Sequence, residues 1–516
     1  MRRFISQSLR KVRSRPSLSL STRQWRSRSS FSVDRSGLIG SQGGGAIEGG
    51  ALDSTSSISV EKEPLTPLAK DLRAIIELKG PITMHEYMSQ CSNHVYHGYY
   101  QSQHDKIGTD TGDFTTAPEI SQLFGEMVGM WAISQWHAMG RPAKISLLEL
   151  GPGKGTLMKD ILTVARKFPL FQQAIEGVHM IELSDNMRKV QAETLDCTIH
   201  VMSDISNKSG DNAYSRTVKM PTSFSSSTSR DEYEDQVEPV SYLTGTTNDG
   251  LNIHWYHTLA QVPESDGVSS IIIAQEFLDV FPVHQFQYKK AKRQWLEKLV
   301  DVDTSGDTKQ HFRTVLSTAP TPAAMSLLQS QAVTNVTHLQ DDVSIEVSPL
   351  ALATCEDVAT RILRNKGVAL FIDYGNNGAS NDSVRSFHRH TQVSIFERPG
   401  ECDITADVDF HACALVAARR GARVIGAIPQ AEFLINMGIV DRAEQVISVV
   451  EEREEKEEAC QSIGEGEEEG VDADAESIHL LKSLKLLIDE NEMGLRFKVL
   501  SMQHPAIMGT PGFPSK

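Results

Sequence analysis

One stretch of this sequence limits the possible folds more than any other: LLELGPGKGTLMKDIL, residues 147–162. An apolar run containing Glu149 leads into three glycines, Gly151, Gly153 and Gly155, and a helical pattern follows them. Glycine tolerates the left-handed backbone of a tight turn and leaves room for a ligand beside the main chain. A strand, a glycine turn and a helix in succession therefore indicate an α/β fold with a ligand at the turn.

Short apolar segments alternate with helical patterns along most of the chain. The predicted strands are 143–150, 177–183, 251–256, 269–277 and 367–375. The helix after the second strand should be capped by Ser184 or Asp185. This alternation predicts a parallel sheet with flanking helices, which binds ligands at the carboxyl ends of its strands.

Three classes of ligand use a glycine turn after a first strand. A P-loop requires Gly-Lys-Ser/Thr, but Lys154 lies between glycines and no such triplet follows. A nicotinamide or flavin site requires GxGxxG and an acid about 20 residues later. Here the spacing is GxGxG, and Glu182, the first acid at a strand end, follows a longer interval. The E-L-G-x-G-x-G turn of S-adenosylmethionine-dependent methyltransferases fits better.

The residues of the turn suggest how that cofactor would be held. The three glycines allow the backbone to approach its amino-acid and ribose parts, where a Cβ would collide. Glu149 can receive its ammonium group, directly or through water. Glu182 can accept hydrogen bonds from both ribose hydroxyls, since a carboxylate has two acceptor oxygens. Taken alone, Glu182 could equally be an acid at a helix N-terminus.

Charge is distributed unevenly along the chain, whose net charge is −16. Residues 1–35 hold ten Arg/Lys and one acid, are rich in serine, and alternate arginine with apolar residues. This composition is typical of a mitochondrial transit peptide, with a nucleic-acid-binding arm or a chloroplast signal as alternatives. Without residues 1–35 the chain is strongly acidic, which disfavours nucleic acid as a partner.

Composition also divides the rest of the chain. We predict a Gly/Ser linker at 36–63, a helical or lid segment at 64–142, and a catalytic domain at 143–505. Two polar stretches, 205–250 and 451–476, are predicted to be disordered insertions. No apolar run is long enough for a transmembrane segment. The six cysteines show no zinc-ligand or disulfide spacing, so we expect no metal site and reduced thiols.

Several other segments are more specific than the glycine turn. They occur in order between about residues 64 and 505, interrupted only by the insertions, and include GDFTTAPEISQLFGE, IELSDNMRKVQAETL, EFLDVFPVHQF, FIDYG and RPGECDITADVDF. In these segments the chain resembles the MidA-type family of S-adenosylmethionine-dependent methyltransferases. Mitochondrial members of that family are protein arginine methyltransferases that act in complex I assembly.

The resemblance implies a class I, Rossmann-like methyltransferase fold with an N-terminal helical extension and an elaborated region after strand four. It also implies a mitochondrial matrix protein that symmetrically dimethylates an arginine of the 49-kDa-type subunit of complex I. A homodimer is a separate expectation that does not follow from the resemblance. S-adenosyl-L-methionine would be its cofactor.

Candidate catalytic residues follow the fourth predicted strand. Gln275 is expected beside the cofactor, Glu276 is the best candidate to clamp a guanidinium group, and Asp279 would assist it. Carboxylates suit this task because they orient a guanidinium and accept its proton. Glu276 and Asp279 could instead cap the next helix.

Further candidates lie on other segments. In GDFTTAPEIS a lid over the cofactor would present Asp113, Thr116 and Glu119, with Thr116 as a helix N-cap. Asp373 and Tyr374 end the fifth strand, where they could contact substrate or serve the structure. Asp407 belongs to an acidic turn, together with Asp403 and Asp409, that could contact substrate or form local backbone bonds.

Two other functions are compatible with parts of this pattern. The chain could be an assembly chaperone that binds the cofactor with little turnover, although Glu149 and Glu276 are both intact. It could also be a small-molecule methyltransferase or an oxidoreductase. Stabilisation by NAD(P)H but not by S-adenosylmethionine would favour the oxidoreductase.

Overall fold

The computed structural model describes residues 62–101, 115–200, 243–305, 308–330, 342–461 and 473–514. The predicted transit peptide and Asp113 lie outside these ranges. The thiols of Cys91, Cys197, Cys355, Cys402 and Cys413 are free. In the described part of the chain, no helix combines the length and apolarity needed to cross a membrane.

Fourteen α-helices occur in the described residues. They are α1 Pro67–Lys79, α2 Met84–Asn93, α3 Ala117–Ile120, α4 Gln122–Ala138, α5 Thr156–Ala165, α6 Pro169–Ala174, α7 Asp185–Thr194, α8 Pro322–Ser330, α9 Pro349–Asn365, α10 Phe410–Arg420, α11 Gln430–Asn436, α12 Ile439–Gln461, α13 Ala473–Ile488 and α14 Met493–Arg496. Their ends follow local chemistry: the Ser184 side chain caps α7 by accepting from the Met187 N–H, which decides between the two predicted caps.

Eighteen strands occur in the same residues. They are β1 Ile82–Thr83, β2 Ile145–Leu150, β3 Ile175–Ile181, β4 Cys197–His200, β5 Leu243–Thr247, β6 Asn252–Tyr256, β7 Ser269–Gln275, β8 His284–Lys289, β9 Gln294–Val302, β10 Phe312–Leu316, β11 Ser344–Val347, β12 Val368–Asn376, β13 Arg385–His388, β14 Thr391–Val393, β15 Asp403–Thr405, β16 Val408–Asp409, β17 Arg423–Pro429 and β18 Phe497–Gln503. The five strands predicted from sequence are β2, β3, β6, β7 and β12.

The large sheet has the order β17-β18-β12-β7-β2-β3-β6-β5-β4, with β16 beside β12. Its centre, β12-β7-β2-β3-β6, is parallel as predicted, because every neighbouring pair there runs in the same direction. Antiparallel strands extend both sides: β18 and β17 beyond β12, and β5 and β4 beyond β6. The carboxyl ends of the parallel strands therefore meet at one edge, beside the glycine turn.

Two apolar layers enclose this sheet. Alternate residues of the central strands face either α4 and α5 or α9 and α10, and each set joins a separate buried cluster. In β2, for example, Leu147 belongs to the first cluster and Leu148 to the second. Burial on both faces explains why these strands read as continuous apolar runs.

The elaborated region after β7 forms most of a second, antiparallel sheet, in which β9 pairs with β8 and β10, and β8 pairs with β11. Strand β1 of the N-terminal segment pairs with β9 and completes this sheet. Helices α1 and α2 pack on it through a buried cluster that includes Leu72, Tyr87, Val300 and Phe312. Helix α4 instead packs on the large sheet. The predicted segment 64–142 is therefore divided between two cores.

Both predicted insertions need correction at their edges. Residues Leu243–Thr247 form β5, which pairs with β4 and β6, because their threonines have high β-propensity despite the polar composition around them. Helix α12 continues into the acidic run as far as Gln461, and α13 begins at Ala473. The remainder of each insertion, 205–242 and 462–472, lies outside the described residues.

Candidate active site

The glycine turn adopts the conformation that its sequence predicts. Gly151, Gly153 and Gly155 all have left-handed backbones, with φ of 65°, 52° and 85°. A Cβ on Gly151 would lie 2.6 Å from the Phe277 Cδ2 atom. Phe277 comes from the loop after β7, so this close approach joins the end of β7 to the turn.

Glu149 lies behind the turn and is almost completely buried, with 2% of its surface exposed. Its Oε2 atom has no hydrogen-bond partner within the protein. Burial raises the pKa of the Glu149 carboxyl to about 8. A buried acceptor without a partner is costly, so the position suits a ligand that carries a cation or a hydrogen-bond donor, as the ammonium group of S-adenosylmethionine does.

Glu182 is held toward the turn by hydrogen bonds to both of its carboxylate oxygens. Oε1 accepts from the Ser184 N–H at 2.8 Å, and Oε2 accepts from the Gln191 side chain at 3.1 Å. Burial raises the pKa of Glu182, and these hydrogen bonds oppose the rise. Gln191 thus links the carboxylate to the glycine turn, and the contact of Glu182 with the ribose hydroxyls stays a prediction.

Gln191 is a site residue that the sequence patterns did not reveal. It is completely buried, donates to the Gly153 carbonyl at 2.8 Å, and accepts from the Trp255 indole N–H at 2.9 Å. One amide side chain therefore connects the turn, Glu182 and β6. Its spacing from the Ser184 cap, two helical turns along the same face of α7, was the available sequence signal.

Glu276 is the half-buried carboxylate at the end of β7. Its backbone is left-handed, with φ of 48°, which is uncommon for a residue with a Cβ. The Oε1 atom accepts from the Ala117 N–H at 3.1 Å and also from the Gln275 amide. Gln275, predicted to contact the cofactor, thus touches the proposed clamp residue directly.

The short helix α3 connects the end of β7 with the start of α5, and its role as a lid stays a prediction. Its first residue, Ala117, donates to Glu276, and its Glu119 accepts from the Thr156 hydroxyl at 2.5 Å. Thr156 begins α5, directly after the glycine turn. Thr116 occupies the N-cap position, but its side chain makes no capping hydrogen bond.

Asp373 holds the loop after β7 in place. Its Oδ2 atom accepts from the backbone N–H groups of Phe277, Leu278 and Asp279, at 3.1, 2.9 and 3.3 Å. It is fully buried, and burial together with the nearby Asp279 and Glu276 raises its pKa well above the usual value. Of the two roles left open by the sequence, the structural one fits these contacts, because Asp373 is turned into the protein.

Asp279 and Tyr374 form a buried pair, in which the Tyr374 hydroxyl donates to the Asp279 carboxylate. The Arg385 guanidinium lies over the Tyr374 ring, 4.7 Å from its centre, and bonds to Asp407 at 2.7 Å. Asp407 therefore has a partner within the chain, and its proposed contact with substrate is not what this arrangement favours. Asp409 caps α10, which is one of the local roles left open for it.

Tyr100 also belongs to this cluster and was not singled out by its sequence context. Its hydroxyl donates to Asp403 at 3.3 Å. Burial, then the nearby Asp403, Asp279 and Tyr374, raises the pKa of Tyr100 well above its usual value. The cluster thus combines carboxylates from three segments with two phenols beside the glycine turn.

Comparison with known proteins identifies the class. Residues 127–428 match the profile of a family described as S-adenosyl-L-methionine-dependent methyltransferases. The chain belongs to this family, and the class I methyltransferase fold and the S-adenosylmethionine cofactor expected from the sequence are confirmed.

Individual relatives share the name protein arginine methyltransferase NDUFAF7, mitochondrial. The protein from Mus musculus is 35% identical over 75% of this chain and 77% of its own, and that from Danio rerio is 33% identical over 88% and 90%. The Drosophila melanogaster homolog is 35% identical over 84% of both chains.

A solved structure has the same fold. It is a COG1565 superfamily member from Burkholderia thailandensis bound to S-adenosyl-homocysteine, with a TM-score of 0.60 at 23% identity. The match covers 86% of this chain and 93% of that one.

Proposed function

We propose that this protein is a mitochondrial protein arginine methyltransferase that acts on a subunit of complex I during assembly of the complex. The 49-kDa-type subunit is the substrate we infer, with symmetric dimethylation of one arginine in the matrix. The names of the relatives support arginine as the acceptor and mitochondria as the location. The complex I substrate rests on the resemblance to the MidA-type family.

The observation that carries this proposal is the acidic end of β7 and β12. Glu276 is half-buried and therefore reachable, whereas Asp279 and Asp373 lie buried behind it. A guanidinium at this position would meet the accessible Glu276 carboxylate and the field of Asp279, close to the glycine turn through Phe277, whereas burial keeps Asp373 protonated. Such clustered acids stabilise a cation and disfavour a neutral or anionic acceptor.

Cofactor binding and proton transfer would fall to different residues. Glu149, Glu182 and the glycine turn would hold S-adenosylmethionine, which supplies the methyl group when bound. Glu276 would orient the acceptor nitrogen and accept its proton, because a methylated guanidinium nitrogen must lose one. Asp279, held by the Tyr374 hydroxyl, would act on the guanidinium through its charge from behind Glu276. Positioning of this kind supplies much of the rate in a displacement reaction.

The test separates binding from transfer. Glu276→Gln should bind S-adenosylhomocysteine within about threefold of wild type but lose roughly a hundredfold or more in methyl transfer to the isolated 49-kDa-type subunit, measured by mass spectrometry. Glu126→Gln is the control, because Glu126 is a buried carboxylate bonded to Arg442 rather than to the site. Equal transfer by wild type and Glu276→Gln would refute the assigned role.

A further inference from the structure

A polar patch interrupts the buried face of the large sheet at the end opposite the glycine turn. Residues facing α9 in the carboxyl half of the central strands are apolar, including Leu148, Ile181, Tyr256 and Ile272. Two positions earlier on the same strands and the same face, the residues are instead Ser146, His179, His254 and Ser270. Packing of a helix on a sheet does not require such residues.

The patch lines a cavity of about 170 Å³. It exists because the connection from β6 to β7, residues 257–268, contains only the 3₁₀ turn Leu259–Gln261. Connections between parallel strands usually carry an α-helix that covers the sheet. Gly177 contributes to the space, since a Cβ there would meet no atom closer than 3.6 Å.

Three buried polar atoms around the cavity have no hydrogen-bond partner: His179 Nδ1, Arg361 Nε and Asn365 Oδ1. Arg361 and His179 are 5% and 8% exposed. The terminal nitrogens of Arg361 donate to the carbonyls of Val262 and Pro263 at 3.0 and 2.8 Å. These bonds hold the guanidinium against the segment that connects β6 to β7. Native proteins seldom leave several buried polar atoms unpaired so close together.

Both carboxylates at the cavity are paired with cations, so the buried Arg361 remains to face a ligand. Its two carboxylates already face cations: Glu176 bonds to Lys144 at 2.7 Å, and Glu264 lies 3.8 Å from both Arg361 and Arg364. Arg361 is the buried cation of the cavity lining, whereas Lys144 and Arg364 are exposed beside the cavity and neutralise the two carboxylates from outside. Burial, with His254 and Arg361 nearby, lowers the pKa of His179 to about 3, so that ring adds no charge of its own.

We propose that this cavity binds a small oxyanion, the phosphate or carboxylate head of a small molecule, at a site separate from methyl transfer. Arg361 Nε, the Ser146 and Ser270 hydroxyls and the His179 ring provide donors that match oxyanion acceptors. Ser146 and Gly151 lie at opposite ends of one strand, roughly 16 Å apart at the rise of a β-strand. Neither ligand would therefore occupy the space of the other.

The experiment is calorimetric titration of the full chain with inorganic phosphate and, separately, acetate, at an ionic strength held constant with chloride. We expect saturable binding of at least one anion, and the tighter of the two identifies the head group. Arg361→Gln should weaken it about tenfold. Arg364→Gln, one helical turn away and equally close to Glu264, should not.

A second variant covers the case in which Arg361→Gln does not fold. Gly177→Ala adds one methyl group to the cavity without a backbone clash, and it should weaken anion binding severalfold at unchanged melting temperature. Binding of S-adenosylhomocysteine should be the same in all variants. Failure of wild type to bind either anion, or equal weakening by Arg361→Gln and Arg364→Gln, would overturn the proposal.

Discussion

The Glu276 carboxylate accepts a hydrogen bond from the Ala117 backbone N–H at 3.1 Å, although 159 positions separate the two residues. Ala117 begins α3, and Glu119 on the same short helix bonds to Thr156 beside the glycine turn. One turn of helix therefore connects the acid at the end of β7 with the cofactor loop. Strained or unusual backbone, such as that of Glu276, is often retained at functional sites.

The substitution Ala117→Pro tests this connection. Proline lacks the N–H that bonds to Glu276, yet it is well tolerated at the first position of a helix. We expect affinity for S-adenosylhomocysteine to change by less than about twofold while methyl transfer falls roughly tenfold. Gln122→Pro makes the same change at the start of α4 and should leave transfer intact. If both variants transfer methyl groups equally well, the bond from Ala117 does not position Glu276.

The pH dependence of cofactor binding should come from Glu149. Its pKa is raised to about 8 by burial, so below that pH the folded chain without ligand holds a proton on this carboxyl. An ammonium ligand favours the ionised form, and affinity for S-adenosylhomocysteine should therefore rise between pH 6 and 8. In Glu149→Gln the calorimetric affinity should be at least about tenfold lower and nearly independent of pH in this range.

Glu149 should also make the stability of the ligand-free chain depend on pH, and here a higher pH is unfavourable. Because the pKa of Glu149 in the folded chain lies above the unfolded value, the free energy of unfolding should fall as pH rises from about 4.5 to 8. Relative to Glu149→Gln, the melting temperature of the ligand-free wild type should decrease across this window by roughly 2–4 °C. Parallel melting curves for the two proteins would contradict the raised pKa.

Gln191→Leu should weaken cofactor binding, although Gln191 acts through the residues that hold the cofactor and not by touching it. The substitution keeps an apolar side chain of similar size but removes the bonds to Gly153, Glu182 and Trp255, leaving their buried polar atoms unpaired. We expect affinity for S-adenosylhomocysteine to fall about tenfold or more. Glu193→Gln, exposed on the same helix, is the control, and a similar loss there would implicate the helix rather than the amide.

Tyr374→Phe isolates the role of one hydroxyl. Removing it leaves Asp279 without this donor, so methyl transfer should fall about tenfold while cofactor affinity is retained. Tyr87→Phe removes an equally buried hydroxyl that donates to the Ile395 carbonyl at 2.7 Å, remote from the glycine turn. Both variants should lose about 1 kcal/mol of stability, but only Tyr374→Phe should be slower in single-turnover assays.

Local sequence pattern was sufficient to predict the strand, the glycine turn and the helix at the centre of the candidate site. The strand, turn and helix around Gly151 are consecutive in sequence, and carboxyl ends of parallel strands meet at one edge whatever else surrounds them. Glu149, Glu182 and Glu276 could therefore be assigned to one crevice from the order of strands and turns alone. The cap of α7 followed from the same short-range chemistry.

Long-range packing decided the rest. Composition averaged over 205–250 concealed β5, because a short polar strand depends on the strands it pairs with, here β4 and β6. The acidic run on α12 is preceded by Ala443, Ile447 and Val450, whose burial on one face anchors the helix. An acid at a strand end can face a ligand or the backbone, and only the loop folded over Asp373 turned that carboxylate inward. Sequence thus determined which strand ends bring acids to the crevice. Tertiary structure added Gln191 and Tyr100 and determined which acids remain available to a substrate, since availability depends on partners distant in the chain.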